Sequence, residues 1–213
     1  MSTTKERILE TALALFAERG YAGTSMSDLA GALGITKGAL YRHYAGKEAI
    51  FAAIIARMEA LDAERAQAFA MPTAVPGSGD DAYRRTAWES VRAYSVAQFR
   101  YWTEERFPSR FRRLLTLEQY RDPKMARLFR DYLSAGPLVY MTELFRSAHG
   151  GAAERLALDF YGPMFLLYSV YDGAEDKTAV LPLLEMHLEA FEKRLGNADP
   201  AGSPETDRSF DNA

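Results

Sequence analysis

Twenty residues, from Ser25 to Tyr44, leave this chain few choices of local structure. Ser25 is followed three positions later by Asp28, the spacing of a capping box that opens a helix. Leu29, Ala30 and Leu33 then fall on one face at helical period. Gly34 follows the last periodic residue, where glycine adopts a left-handed backbone without steric cost. Thr36 is placed to cap a second helix, with Ile35 and Leu40 spaced as a hydrophobic staple across its start. Helix, short glycine turn, helix is the pattern of a helix-turn-helix.

The second of these predicted helices has an unusual outer face. Stepping 100° per residue from Leu40, the positions turned furthest away are Gly38, Ala39, Tyr41 and Arg42, with Lys37 and His43 to the sides. Its N-terminal end is small, close to backbone, and flanked by a cation, a phenol and an imidazole. A DNA major groove admits such an end: small residues permit close approach, and Lys, Arg, Tyr and His reach bases and phosphates. An ordinary helical corner in an all-α protein fits the same pattern.

The whole segment resembles the DNA-binding domain of the tetracycline-repressor (TetR) family of bacterial regulators. The resemblance rests on Leu15-Phe16-Ala17-Glu18-Arg19-Gly20-Tyr21, Ser27-Asp28-Leu29-Ala30, Leu33-Gly34-Ile35, Lys37 through Tyr44, and Lys47-Glu48 opening the next helix. It covers about the first 60 residues; the rest is similar to the family only in size and helical pattern. The resemblance implies DNA contacts at Ser25, Ser27, Lys37, Gly38, Ala39, Tyr41 and His43, and a phosphate contact at Lys47. Thr36 is counted with them, and Arg42 is added on the physical argument above. One departure is Ala45-Gly46 before Lys47, where the family often has Ser or Asn; glycine caps nearly as well.

A chain of 213 residues has room for a small DNA-binding domain and a larger core, and 48% hydrophobic content is that of a globular protein. There is no cysteine, which excludes disulfides, thiolate catalysis and cysteine zinc sites. His43, His149 and His187 are scattered and show no metal-ligand spacing, so no metal or cofactor is expected. No apolar run of about 18 residues and no signal-peptide core occurs, which points to a soluble cytoplasmic protein without membrane contact. Net charge is −3, unevenly spread: residues 1–60 carry about +1, 61–83 about −3, 84–130 about +7 and 131–213 about −8. With so little charge at the reading end, affinity there must come from placed groups, and a dimer is needed for specificity.

The expected organisation is all-α. A helix-turn-helix domain occupies 1–46, opened by a Thr3/Glu6 capping box and with its first helix ending at Gly20. A connecting helix follows over 47–70, its fold running into the first domain to about residue 60. A larger helical domain occupies 82–195, and 196–213 read as a disordered tail. Met71 to Asp81 read as a loop or linker. Within the larger domain the expected helices run from about Ala82 to Glu105, from Ser109 to Tyr120, from Asp122 to Ala148 with a kink at Gly136-Pro137, from Ala152 to Tyr171 with a break or kink at Gly162-Pro163, and from Thr178 to Leu195.

This second region is crowded with aromatic residues. Rings at helical spacing make a core without any ligand; some could instead line an apolar cavity between helices. Family resemblance favours an effector pocket, for which Trp88, Phe99, Trp102, Phe129, Tyr132 and Phe165 are the candidates. Arg110, Arg112, Arg113 and Arg121 either form a solvated face or attract an anionic effector. Two stripes, Leu156-Phe160-Met164-Leu167-Tyr168-Tyr171 and Val180-Leu184-Leu188-Phe191-Leu195, are candidates for self-association, and the resemblance implies a homodimer through these last two helices. The favoured reading is a ligand-responsive regulator, most often a repressor, that binds a pseudo-palindromic operator in double-stranded DNA as a homodimer and is released by a small apolar or amphipathic effector. The alternatives are an all-helical small-molecule sensor or scaffold, or an enzyme, without DNA binding. No nucleophile elbow or metal motif favours the enzyme.

Overall fold

Capping residues set the helix ends at the front of the chain. The computed structural model describes residues 3–72, 83 and 86–197. Helix α1 (Thr4–Arg19) opens on the expected capping box, with Glu6 N donating to Thr3 Oγ1 at 3.2 Å and Thr3 N to Glu6 Oε2 at 2.7 Å. Helix α2 (Met26–Leu33) opens on the Ser25/Asp28 box. It closes in a Schellman motif: Gly34 is left-handed at φ +68°, Gly34 N donates to Gly31 O, and Ile35 N to Ala30 O at 3.1 Å. Helix α3 (Lys37–Tyr41) starts where Thr36 accepts from Ala39 N at 3.1 Å. Leu40 is fully buried behind it.

Helix α4 (Lys47–Ala68) ends close to its expected limit. Its first half buries Ile50, Phe51, Ile54 and Met58. Phe51 joins Phe16 and Tyr21 in a ring cluster, the Tyr21 and Phe51 centroids 5.2 Å apart. Helices α1 to α4 thus share one small core. The helix closes in a second Schellman motif, Met71 N donating to Ala66 O at 2.8 Å and Ala70 N to Gln67 O at 3.1 Å. Here an alanine, Ala70, takes the positive φ of +52° that glycine usually fills.

Among the described residues the larger body holds six α-helices: α5 (Trp88–Thr103), α6 (Arg106–Glu118), α7 (Pro123–Leu133), α8 (Ala135–His149), α9 (Ala153–Gly173) and α10 (Val180–Asn197). Of the expected loop at 71–81 and the tail at 196–213, residues 73–81 and 198–213 lie outside the described residues, as does the expected helix start at Ala82. Four boundaries differ from expectation. Thr86 and Ala87 are not helical, so α5 begins at Trp88. Pro108 does not stop a helix but lies in the first turn of α6, where the missing N–H has no intrahelical partner to lose. The long helix expected from Asp122 breaks at Ser134 into α7 and α8. The break is tight: a Cβ on Gly136 would sit 2.0 Å from Asp131 O, and Pro137 falls in the first turn of α8. Conversely, α9 runs uninterrupted through Pro163. As expected, Asp122 caps α7 by accepting from Lys124 N at 2.7 Å, with proline at its first position.

The two stripes expected to pair subunits are mostly used within this chain. Phe160, Met164, Leu167 and Tyr168 of α9, and Val180, Leu184, Leu188 and Phe191 of α10, are buried in its own core. A different stripe faces outward: Leu158, Phe165, Leu166 and Val170 on α9 with Leu183 and Met186 on α10. Both helices carry two apolar faces, and one stripe per helix was the simpler reading of the same residues.

Helix α6 joins the larger body to the front. Arg112 on α6 is buried and forks onto Asp172 of α9, with N–O distances of 2.9 and 2.6 Å, while its Nε donates to Trp102 O at 2.9 Å. Arg110 of α6 and Arg57 of α4 both approach Glu10 of α1, at 3.9 and 3.2 Å. Gly20, at the end of α1, meets α6 closely: its φ is +82°, and a Cβ there would lie 2.6 Å from Glu118 Oε1. The variant Gly20→Ala is therefore expected to lose about 2 kcal/mol of stability, measured by urea unfolding of the full chain.

Candidate functional site

The outer surface of α2 and α3 is built by caps. Ser25, Ser27, Thr36, Lys37, Gly38, Tyr41, Arg42 and His43 are exposed, and Ala39 is half-buried. Nine of the ten candidate DNA-binding residues are thus at least partly open to solvent on α2, α3 and their flanks. Several have local tasks as well. The Ser25 and Thr36 hydroxyls accept from the backbone N–H three residues on. The Asp28 carboxylate in turn accepts from the Ser25 hydroxyl and from the Ser25 backbone N–H, the latter at 2.8 Å, and these hydrogen bonds hold it below the usual range. This places a carboxylate at the start of α2, where it complements the helix dipole. The Lys37 ammonium lies 6.0 Å from the centre of the Tyr41 ring. Around Gly38, a Cβ would meet nothing within 4 Å. The domain's own packing therefore places no demand on a small residue at that position.

Lys47 is the exception. Its ammonium donates to Tyr21 O at 2.7 Å and to Thr24 O at 2.9 Å, and lies 4.4 Å from the centre of the Tyr21 ring. Two of its three donors thus tie α4 to the α1–α2 connection. The residue expected to meet a phosphate is thus also an internal fastening, because the carbonyls of the connection point toward it. Thr24 is itself buried and donates to Gly20 O at 3.0 Å.

A cavity of about 500 Å³ lies between α4, α5, α7, α8 and α9. Trp102 and Tyr132, expected to line a pocket, do so. Phe129 and Phe165 line a second, outer hollow of about 410 Å³ instead. Trp88 and Phe99 line neither. Trp88 stacks on Phe191 at 5.8 Å, and Phe99 lies parallel to Tyr168 at 5.5 Å; both belong to the core. The sequence reading missed Asp62, Tyr94, Gln98, Tyr140, Tyr161 and Met164, which also line it. A signal existed for one of them: Asp62 is an acid four residues after the buried Met58, hence near the apolar face of α4.

The polar groups of the wall are mostly satisfied. Tyr161 donates to Leu133 O at 2.9 Å and Tyr140 to Pro72 O at 3.0 Å. Gln98 bridges, donating to the Tyr94 hydroxyl and accepting from Arg65 Nε, each at 3.0 Å. The expected anion-attracting arginines do not reach this cavity. Arg112 is consumed by Asp172, Arg110 approaches Glu10, and Arg121 lies 3.8 Å from Glu118.

Comparison with known proteins places this geometry. Residues 8–54 match the family model described as "Bacterial regulatory proteins, tetR family". The uncharacterized HTH-type transcriptional regulator YerO of Bacillus subtilis is 46% identical over 50 residues, which are 24% of this chain and 17% of that protein. The HTH-type transcriptional regulator AcrR of Shigella flexneri is 41% identical over 51 residues, 24% of each chain. The chain therefore spans well under a third of the length of the curated relatives it matches. Among solved structures, a TetR-like transcriptional regulator from Rhodococcus sp. RHA1 superposes with a TM-score of 0.61 at 22% identity, over 91% of this chain and 98% of that one. The fatty acid degradation regulator FadR of Bacillus halodurans gives 0.60 at 15% identity, over 90% and 96%. These two likenesses establish the fold over nearly the whole chain: an N-terminal helix-turn-helix domain and a larger helical domain. No helix among the described residues is long and apolar enough to cross a membrane.

The fastening role of Lys47 has a measurable consequence. Lys47→Met should lower the stability of the folded chain by about 2 kcal/mol, seen as a shifted urea midpoint in the absence of DNA. A purely phosphate-binding lysine would leave that midpoint unchanged.

Proposed function

We propose that this chain, whose residues 8–54 match the model of bacterial regulatory proteins of the tetR family, is a ligand-responsive transcriptional regulator of that family, a repressor released from its operator by a small apolar or amphipathic effector. The observation that carries this reading is the outward face of α3. Lys37, Gly38, Tyr41, Arg42 and His43 are exposed on a short capped rod, and the only buried residue of the rod is Leu40. A major groove accepts a rod of this kind, with Gly38 and Ala39 allowing close approach and the longer side chains reaching base edges and phosphates. Ser25, Ser27 and Thr36 add hydroxyls beside it.

The partner for the outward stripe of α9 and α10 is a second copy of the chain. Leu158, Phe165, Leu166, Val170, Leu183 and Met186 form an apolar surface on two adjacent helices, of the kind that marks an interface. A two-fold dimer would set its recognition helices about 34–36 Å apart and read a pseudo-palindrome. The large cavity is the proposed effector site. An effector that favours the spacing incompetent for DNA lowers operator affinity, and operator lowers effector affinity by the same factor. In this reading the protein is not an enzyme and works in the cytoplasm.

Three measurements test it. The protein should bind the DNA upstream of its own gene with an affinity that falls steeply with salt. Gly38→Glu should abolish that binding while leaving size and melting unchanged; undiminished binding would remove α3 from the groove. Leu166→Arg should give a monomer in light scattering, with at least about a hundredfold weaker operator binding.

A further inference from the structure

The cavity proposed as the effector site has an electrostatic sign. Among the described residues its wall carries two charged side chains, Asp62 and Asp131, and no lysine or arginine. Asp131 is exposed and lies beside Arg130, Nε to Oδ1 3.1 Å. Asp62 is relieved only in part: the Tyr101 hydroxyl and the Arg65 charge favour its ionised form, but its Oδ1 is buried and finds no hydrogen-bond partner. Arg65, one turn further along α4, acts on Asp62 through its charge, but its hydrogen bonds go elsewhere and its Nη2 is buried without a partner. Its Nε donates to Gln98 at 3.0 Å, its Nη1 lies 3.7 Å from Glu105, and its guanidinium sits 4.2 Å from the centre of the Tyr101 ring. A buried carboxylate oxygen without a partner is costly, and the cost is relieved by a donor or a cation brought into the cavity. The wall around it is aromatic, with Tyr94, Trp102, Tyr132 and Tyr140 contributing rings whose faces attract cations.

We propose that the cavity takes an organic cation, a protonated amine or quaternary ammonium on an aromatic body, with Asp62 as its counter-ion and the rings of Tyr94, Trp102 and Tyr132 around it. The proposal rests on the effector-site reading and gives it a ligand class. It also replaces the anionic effector that the arginine-rich stretch suggested.

Ionisation of Asp62 gives the proposal a second handle. Burial pushes its carboxyl up to about 6, against the Tyr101 hydroxyl and Arg65, which both favour the charged form. The groups facing it are Arg65 on α4, Tyr94 and Tyr101 on α5, and Tyr132 with Asp131 on α7. Tyr140 on α8 and Tyr161 and Tyr168 on α9 complete the surroundings. Burial holds all these phenols above their ordinary value, Tyr94 at about 12, so none of them ionises between about pH 5 and 7.5. Over that range Asp62 goes from about one-tenth ionised to nearly fully ionised, and cation binding should strengthen as pH rises.

The test is calorimetric titration of the full-length protein, without DNA, against three probes of one shape: (4-biphenylmethyl)trimethylammonium, 4-biphenylmethanol and biphenyl-4-carboxylate. The cation should bind at least about tenfold more tightly than either of the others. Asp62→Asn should weaken the cation about tenfold and leave the alcohol within about twofold. In the wild type, cation affinity should fall about tenfold between pH 7.5 and pH 5 while alcohol affinity holds. If Asp62→Asn does not fold, this pH series decides alone. Carboxylate binding as tight as the cation's, equal affinity for all three probes, binding of none, or an Asp62→Asn protein with unchanged cation affinity overturns the proposal. Operator binding is then measured with and without the cation. A cation that binds as expected but leaves operator affinity unchanged supports the site and overturns only its regulatory coupling.

Discussion

One helix belongs to two cores. The first half of α4 buries Ile50, Phe51 and Ile54 toward the front, Met58 at its middle takes the Tyr101 hydroxyl of α5, and its second half supplies Asp62, Ala63 and Ala66 to the cavity wall. A packed core resists deformation, so α4 cannot shift at one end without the other end responding. The function proposed above depends on that continuity. The reading face is held by the front core, the cavity by the rear one, and α4 is common to both.

The joints along this route are charged and aromatic as well as apolar. Lys47 fastens the start of α4 to the carbonyls of Tyr21 and Thr24. The Arg57 guanidinium lies 4.1 Å from the centre of the Phe107 ring of α6 and pairs with Glu10 of α1. The Arg65 guanidinium covers Tyr101 of α5. Each of these three cations sits at a different height of the helix and contacts a different neighbour. Hydrogen bonds and cation–ring contacts have narrow geometric optima, which makes such a route more sensitive to rotation than apolar packing alone. Arg112, buried and forked onto the exposed Asp172, plays the corresponding part between α6 and α9. It is worth more as a fixed joint than as a net stabiliser.

The front of the molecule was legible in the sequence because local chemistry dictates it. Ser25/Asp28, Gly34, Thr36 and Thr3/Glu6 each place a cap at a stated backbone position, and each cap formed. Family likeness then assigned roles to the exposed positions. It did not foresee that Lys47 turns inward, since that depends on where the carbonyls of a distant turn point. In the rear body, helix existence was readable and boundaries were not. Pro108 and Pro163 carry the same breaking signal, yet one opens α6 and the other lies inside α9. The difference is tertiary. The cavity was the least legible part: Trp88, Phe99 and Trp102 are alike in sequence, and only the packing of α5 against α9 and α10 decides that Trp102 alone of them reaches the space. An acid near an apolar face, as at Asp62, was a better pointer than any ring.

The anchoring of α4 is unequal at its two ends. At the rear the chain turns through Ala70 and is latched where Tyr140 donates to Pro72 O. Pro72 and Tyr140 both belong to the cavity wall. This fixes the fulcrum beside the ligand space and leaves the long arm toward the front. With 22 residues, the helix is about 33 Å long, so a tilt of about 5° at that fulcrum displaces Lys47 by about 3 Å. In the proposed reading, a tilt of that size at the rear is enough to carry α3 out of register with a groove.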